Sequence, residues 1–231
     1  MENIEKLDIS SLPNSAFMLA IGKRRSGKSF LIKYMLQELK KAKQLDLCYL
    51  FSTTNAGFEN IPLENRFDSL TNLHHIVKKM SMFNQYNKIV DKEKDKIKLR
   101  IVIILDDMAL KLKSKEFNIL EELAVNGRHS SYPPLSMSFV ILSQSLTKIS
   151  RVVRLNSDIL FLNAIPSQVE LNLILDENFY ILDGSRLGKQ DGRALYNNLV
   201  TKEPFTFVAI ESYKQNVVQF SDYIKTFKAL Y

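Results

Sequence analysis

The chain has 231 residues, of which 45% are hydrophobic and 25% charged, and this composition is typical of a globular protein rather than a disordered one. No apolar run approaches the roughly 18 residues of a membrane-spanning helix, and the polar residues 1–15 predict an arm rather than a signal peptide. The formal net charge of +7 permits a polyanionic partner without requiring one. The single cysteine, Cys48, excludes an internal disulfide.

The first predicted strand, residues 16–21, leads into the sequence GKRRSGKS at residues 22–29, and a helix with apolar residues at three- and four-residue steps is predicted at 28–43. This is the G-x-x-x-x-G-K-[ST] pattern, in which glycines bring backbone N–H groups close to phosphate. The lysine reaches the β- and γ-phosphates, and the final hydroxyl binds Mg²⁺. The predicted nucleotide-binding residues are Gly22, Lys23, Arg24, Arg25, Ser26, Gly27, Lys28, Ser29 and Phe30.

The middle of the chain alternates apolar runs with helical patterns. Strands are predicted at 47–51, 99–105, 136–142 and 158–162, helices at 69–91, 115–125 and 167–175, and a short helix or turn at 147–154. Gly127 is the predicted end of the helix that begins near residue 115. The charged stretch 91–98 is expected to be a solvated turn.

The C-terminal part is predicted to contain two strands, at 194–199 and 205–211, that form a hairpin. The tail, residues 212–231, is predicted to end in an amphipathic helix at 221–230. No linker or repeat interrupts the chain, so we expect one domain over residues 1–231. The alternation of strands and helices favours a three-layer α/β fold around a mostly parallel sheet.

A second half of the nucleotide site is predicted at the end of the third strand. Its apolar residues run directly into Asp106 and Asp107, which is the Walker B form. The carboxyl end of a parallel strand is where open α/β sheets bind ligands, so both carboxylates should lie beside the phosphate-binding loop. Asp106 is assigned to Mg²⁺ together with Ser29, and Asp107 to the attacking water.

Two further side chains are candidates for contact with the terminal phosphate. Gln144 follows the fourth strand, which is predicted to lie between the first and third strands, and it could bind both phosphate and water. Arg128 suits developing charge on a phosphoryl group, and from a neighbouring subunit it would act as an arginine finger. Arg151 and Arg154 are alternatives for that role, and a cation that only stabilises a helix end is another interpretation of Arg128.

These pieces, in this order, resemble the FtsK/HerA superfamily of ring-forming ATPases, and more narrowly the genome-packaging ATPases of poxviruses, giant viruses, virophages and membrane-containing phages. The resemblance rests on residues 22–29, 103–107 and 127–129, on Gln144, and on residues 154–158 before a strand. It implies a P-loop ATPase of the RecA/ASCE type that uses ATP and Mg²⁺. It also implies a homo-oligomeric ring, expected to be a hexamer, that moves double-stranded DNA into a capsid.

The resemblance further implies a virion-associated protein, or one at the virus assembly site in the host cytoplasm, with a capsid or portal component as a further partner. Sequence-independent DNA contacts would come from loops, and the candidates are Lys111, Lys113 and Lys115. Each lysine cluster by itself is also compatible with a solvated helix face.

Two other functions share the phosphate-binding loop. A small nucleotide or nucleoside kinase would need an arginine-rich lid, for which residues 184–193 are candidates, but paired acids and Gln144 favour hydrolysis. A nucleotide-gated assembly factor such as a GTPase would be expected to carry an N-K-x-D motif, which the sequence lacks.

Overall fold

The apolar runs of the chain become strands of a single sheet in the computed structural model. It describes residues 4–54, 57–108, 117–130, 135–179, 189–201, 203–214, 217 and 219–228, with backbone alone at 117, 118, 127–130 and 189. The strands in this part of the chain are β1 (Phe17–Gly22), β2 (Leu47–Ser52), β3 (Arg66–Phe67), β4 (Arg100–Asp106), β5 (Ser136–Ser143), β6 (Ile159–Asn163), β7 (Thr206–Glu211) and β8 (Ile224–Lys228). The helices are α1 (Lys28–Lys41), α2 (Thr71–Ile89), α3 (Phe117–Ser130), α4 (Arg151–Leu155), α5 (Gln168–Asn178), α6 (Lys189–Thr201) and α7 (Phe220–Tyr223).

The sheet has the order β3-β2-β4-β5-β1-β6-β7-β8 among the described residues. The strands from β3 to β6 pair in parallel, whereas β7 pairs antiparallel with both β6 and β8. β5 therefore lies between β1 and β4, as predicted. Ile21 is opposite Ser143 and Asp106 is opposite Leu142, so the carboxyl ends of these three strands meet at one edge.

Both faces of the sheet are covered, because successive side chains of a strand point to opposite faces. In β1, Phe17, Leu19 and Ile21 pack in a core cluster that includes residues of α2, α3, α5 and α6. Met18 and Ala20 pack in a second cluster on the other face, with residues of α1. The predicted three-layer α/β architecture with antiparallel C-terminal strands is confirmed.

The predicted strand at 194–199 is wrong, because these residues belong to α6. Tyr196 and Leu199, three residues apart, are both buried, a spacing that suits one face of a helix. Gly192 also lies in this helix, and a Cβ there would come within 2.9 Å of a Leu175 side-chain carbon. The glycine thus permits close contact between α6 and α5.

The predicted tail helix at 221–230 is also wrong. Among the described residues up to 228, the helical part is α7 alone, and β8 follows it and pairs with β7 as the other half of the C-terminal hairpin. The other side of β8 meets the N-terminal arm, where the Leu7 N–H donates to the Thr226 carbonyl at 2.8 Å and the Thr226 N–H donates to the Glu5 carbonyl at 2.9 Å. A strand with partners on both sides satisfies its backbone groups, which explains why this segment is extended.

Gly127 does not end α3, which continues to Ser130. Arg128 and His129 are therefore in the helix rather than beyond it, and a glycine inside a helix costs only about 1 kcal/mol relative to alanine. None of the helices in the described part of the chain has the length and apolar character that a membrane span requires.

Candidate functional site

The loop between β1 and α1 folds tightly against neighbouring strand ends, and its two glycines are required there. A Cβ at Gly22 would lie 2.4 Å from the Asn163 carbonyl oxygen and 2.7 Å from the Ser26 hydroxyl oxygen. Gly27 has a φ of +93°, and its Cβ would lie 2.6 Å from a ring carbon of Phe205. A larger residue would clash at either position, and at Gly27 it would also be strained.

Lys28, the first residue of α1, has a buried side chain that folds back onto this loop. Its Nζ donates to the carbonyl oxygens of Gly22 at 2.7 Å and Lys23 at 3.1 Å. Burial lowers the pKa of the Lys28 ammonium, and the nearby carboxylates of Asp107 and Asp106 act in the opposite direction. The ammonium is thus held at the centre of the loop, close to both acids.

The loop has groups that suit an oxyanion such as a phosphate. Ser26 Oγ is buried and, within the described residues, has no hydrogen-bond partner. The N-cap residue of α1 is Gly27, so no side chain caps the first-turn N–H groups of this helix. Uncapped N–H groups and the positive end of the helix dipole together form an anion site, and a phosphate would satisfy them.

The two acids occupy the end of β4 as predicted. Asp106 is the last residue of the strand, and burial followed by the neighbouring Asp107 carboxylate raises its pKa to about 6, with Lys28 acting against that shift. Asp107 is exposed, has a φ of 49°, and donates its N–H to the Leu142 carbonyl at 3.3 Å. This left-handed backbone is unusual for a residue other than glycine and turns the chain away from the sheet.

Gln144 meets Asp107 across the edge of the sheet. Its Nε2 donates to Asp107 Oδ2 at 2.9 Å. The residues on either side of Gln144 are fixed, because Ser143 Oγ donates to the Ser145 carbonyl at 2.8 Å and accepts from the Ser145 N–H at 3.2 Å. The loop after β5 thus presents the amide to the second acid of β4.

Glu170 of α5 stabilises the loop after β5 through hydrogen bonds. Its carboxylate is buried and accepts from the hydroxyl of Ser145, and also from the N–H and hydroxyl of Thr147 at 3.3 Å and 3.1 Å. A carboxylate that accepts several hydrogen bonds is well suited to a buried position. No local sequence pattern links residues 145 and 170, so this contact could not be predicted from the sequence.

Most of the predicted site residues line one cavity of about 390 Å³. Its lining residues are Arg24, Arg25, Ser26, Gly27, Lys28, Ser29, Phe30, Thr54, Asp106, Asp107, Gln144 and Phe205. Ser29 and Asp106, the two predicted Mg²⁺ ligands, are both among them. Gly22 and Lys23 contribute to the loop through their backbone instead, and the Lys23 side chain is exposed.

Thr54 and Phe205 also line this cavity, and neither residue was predicted from the sequence. Thr54 follows β2, next to β4, so its place just beyond a parallel strand was an available signal. Phe205 precedes β7, far along the chain, and no motif points to it.

The three candidate arginines differ in their surroundings. The Arg154 guanidinium binds the Glu177 carboxylate at 2.9 Å and 3.1 Å and the Ile149 carbonyl at 2.7 Å, and both side chains of the ion pair are 12% exposed. Arg154 is therefore engaged within its own chain. Arg151 is exposed at the start of α4, and the Arg128 side chain lies outside the described part of the structure.

A family model described as Poxvirus A32 protein matches residues 4–178 of the chain. A curated relative, Uncharacterized protein L666 of Acanthamoeba polyphaga mimivirus, is 25% identical over 113 residues, which are 47% of this chain and 43% of that protein. The match therefore spans less than half the length of the mimivirus protein.

Solved structures with a similar fold cover most of the chain. The genome packaging NTPase B204 from Sulfolobus turreted icosahedral virus 2, in complex with sulfate, is 14% identical, with a TM-score of 0.64 over 95% of this chain and 99% of that chain. The pCW3 conjugation coupling protein TcpA, with ATPγS, is 15% identical, with a TM-score of 0.63 over 97% of this chain and 62% of that chain. At these identities the likeness establishes the fold, which is that of P-loop NTPases.

Proposed function

The chain belongs to the poxvirus A32 protein family, and from this membership and the geometry of the P-loop cavity we propose that it is an ATPase that moves double-stranded viral DNA into a capsid. The observation that carries the proposal is the convergence of Lys28, Asp106, Asp107 and Gln144 on one cavity. The similar structures of B204 are of a genome packaging NTPase, one of them in complex with ATP-γS. That description supports the same function here.

In the proposed mechanism, the phosphates lie against the N–H groups of the loop and the start of α1. The Lys28 ammonium exchanges its two carbonyl acceptors for phosphate oxygens, and its positive charge then faces the β- and γ-phosphates. Ser26 Oγ gains the partner that it lacks in the described structure. The loop is thus already shaped for its ligand.

Ser29 and Asp106 would hold Mg²⁺, which supplies positive charge to the β- and γ-phosphates when it is bound. Both residues line the cavity, and Asp106 with a pKa of about 6 is mostly ionised at neutral pH. Asp107, held by Gln144, orients the attacking water and accepts its proton. Arg128 of a neighbouring subunit stabilises the developing charge on the phosphoryl group. This role requires an adjacent subunit, and the proposed arrangement is a homo-oligomeric ring with six members.

The proposal includes sequence-independent binding of duplex DNA and action at the virus assembly site, with a capsid or portal component as a further partner. Lys111, Lys113 and Lys115, the candidate DNA contacts, lie outside the described residues. The kinase alternative gains no support from the described part of its lid: Arg193 is in α6 and donates to the Asn172 side chain.

The experiment that tests this function measures phosphate release from ATP by the purified full chain, with and without duplex DNA. DNA-stimulated release without any phosphate acceptor is expected, together with displacement of a third strand from a DNA triplex. Lys28→Ala should abolish release, whereas Lys40→Ala, on an exposed position of the same helix, should not. Phosphate transfer to a nucleoside in place of release would contradict the proposal.

A further inference from the structure

One side of the P-loop cavity is aromatic. The rings of Phe30 and Phe205 both line it, with centroids 6.1 Å apart and planes inclined at 42°. Phe30 is 41% exposed, although it is a large apolar side chain. Lys33 Nζ lies 5.8 Å from the Phe30 centroid, a contact that favours this orientation of the ring.

The backbone places the Phe205 ring against the phosphate-binding loop. Phe205 has a φ of 58°, a left-handed conformation that a bulky residue rarely adopts. The next residue, Thr206, begins the buried strand β7, and its carbonyl accepts a hydrogen bond from the Asn163 amide. The ring then reaches Gly27, where it occupies the space that a Cβ would need. Backbone strain of this kind at a ligand cavity points to a function.

The cavity lining thus combines two kinds of chemistry. Lys28, Asp106 and Asp107 provide charged groups, and Phe30 and Phe205 provide apolar aromatic surface. A nucleoside triphosphate has the same division between its phosphates and its base. We infer that the Phe205 ring, together with Phe30, forms a stacking surface for the purine base of the nucleotide. This inference rests on the proposed function, since it assigns a contact for the base of the nucleotide in the same site.

Stacking depends on ring area and not on hydrogen bonds to base edges. The larger purine ring system should therefore bind more tightly than a pyrimidine with the same phosphates. Inorganic triphosphate, which has no base, should gain nothing from either phenylalanine. These three probes separate the contribution of the base from that of the phosphates.

The test compares the full chain with Phe205→Ala, Phe205→Leu and Phe205→Tyr variants by calorimetry with Mg²⁺. The probes are non-hydrolysable analogues of ATP and CTP, and inorganic triphosphate. Phe205→Ala should weaken binding of the ATP analogue about ten- to hundredfold. It should also reduce the difference in affinity between the ATP and CTP analogues, and it should leave the affinity for inorganic triphosphate unchanged. Tyrosine should preserve the affinity for the ATP analogue. Leucine, which fills the space beside Gly27 without an aromatic face, should not.

Two results would overturn the inference. If Phe205→Ala weakens the binding of triphosphate as much as that of the ATP analogue, the ring only supports the shape of the loop. If the variant binds the ATP analogue as well as or better than the native chain, the ring does not stack on the base. Failure of the native chain to bind either nucleotide or triphosphate would instead reject the proposed function itself, so the two failures are distinguishable.

Discussion

Gln144 donates its side-chain amide to the Asp107 carboxylate at 2.9 Å, which joins the ends of two adjacent parallel strands. Both side chains are exposed to the cavity, so the contact is accessible to a nucleotide and to water. An amide that holds the carboxylate can also bind a terminal phosphate through its remaining donor. The two side chains therefore form one unit, in which a phosphate bound by Gln144 can affect the orientation of Asp107 and of the water that Asp107 binds.

The first prediction is that Gln144 and Asp107 act together in hydrolysis rather than in binding. Asp107→Asn should lower kcat by about two to four orders of magnitude, as expected for loss of a general base. Gln144→Ala should lower kcat by about one to three orders of magnitude. In the double variant, the loss of kcat should be much smaller than the product of the two single losses. Single-turnover hydrolysis measures the rates, and binding of ATPγS should change less than about threefold. Fully multiplicative losses would show that the two side chains act independently.

The second prediction concerns the pH dependence of stability. The pKa of Asp106 is raised from its ordinary 3.8 to about 6, so between these values the unfolded chain loses this proton before the folded chain does. The free energy of unfolding should therefore contain a term that falls as pH rises from about 4 to about 6. Asp106→Asn removes this term. The free energy of unfolding of the variant should therefore equal that of the native chain near pH 4 and be larger than that of the native chain at pH 7.

Urea unfolding at pH 4, 5, 6 and 7 measures this difference, and a further measurement at pH 3 is made for the control variant described next. Asp46→Asn provides a control of opposite sign, because hydrogen bonding to Arg100 lowers the pKa of Asp46. That variant should become relatively less stable as pH rises toward and through the ordinary Asp pKa of 3.8, and the difference should level off above it. A constant difference between Asp106→Asn and the native chain at all four pH values would contradict the raised pKa.

The sequence predicted the centre of this fold better than its ends, for physical reasons. β1, β4, β5 and β6 are continuous apolar runs because both faces of a parallel strand are buried, and such runs are visible in sequence. The acids and Gln144 were identified because they directly follow these runs. At the C-terminus, buried Tyr223, Ile224 and Phe227 have a spacing that suits a helix as well as a strand. Pairing with β7 and with Glu5 decided the outcome, and neither partner is local.

Site residues that depend on distant contacts were the ones missed. Phe205 reaches Gly27 only because β7 pairs beside β6, near the loop. Glu170 braces the loop after β5 from the first turn of α5, more than twenty residues later in the chain. The roles assigned to Arg128 and to the metal ligands stay predictions, because no contact among the described residues tests them.

The third prediction is that Arg154 stabilises the fold and has no role in a neighbouring site. Its ion pair with Glu177 is largely buried, so Arg154→Ala leaves a carboxylate without its partner and should lower the free energy of unfolding by about 3–5 kcal/mol. Arg151→Ala, on an exposed residue of the same short helix, should change it by less than about 0.5 kcal/mol. Urea unfolding makes both measurements. A stable Arg154→Ala chain that lacks ATPase activity would instead identify Arg154 as the arginine finger.

The fourth prediction tests whether Arg128 acts on the site of a neighbour. Arg128→Ala should reduce ATPase activity by about three to five orders of magnitude while leaving the unfolding curve unchanged. A mixture with the Lys28→Ala chain should regain activity, because an intact Lys28 in one subunit can meet an intact Arg128 from the next. The measurement is phosphate release as a function of mixing ratio. The role of Arg128 in trans would be excluded if activity did not recover at any mixing ratio, or if Arg128→Ala alone were fully active. In that case Arg151→Ala would be mixed with Lys28→Ala in the same way.

The last prediction concerns the lysines that follow β4 in the sequence. If Lys111, Lys113 and Lys115 contact DNA phosphates, replacing all three with alanine should weaken duplex binding equally for unrelated sequences. The slope of log affinity against log salt should become shallower by about 2 to 3, close to one unit for each lost phosphate contact. Fluorescence anisotropy at several salt concentrations measures this slope, and ATPase activity without DNA should be unchanged.

A charge-matched control is available at the other end of β4. Lys92, Lys94 and Lys98 are exposed and precede the amino end of the strand, away from the edge that carries Asp106. Their triple replacement removes the same net charge, so an equal loss of DNA binding would mean that overall charge alone attracts DNA. A shallower salt slope for the first triple variant, with a native slope for the second, would assign the DNA contacts to Lys111, Lys113 and Lys115 themselves.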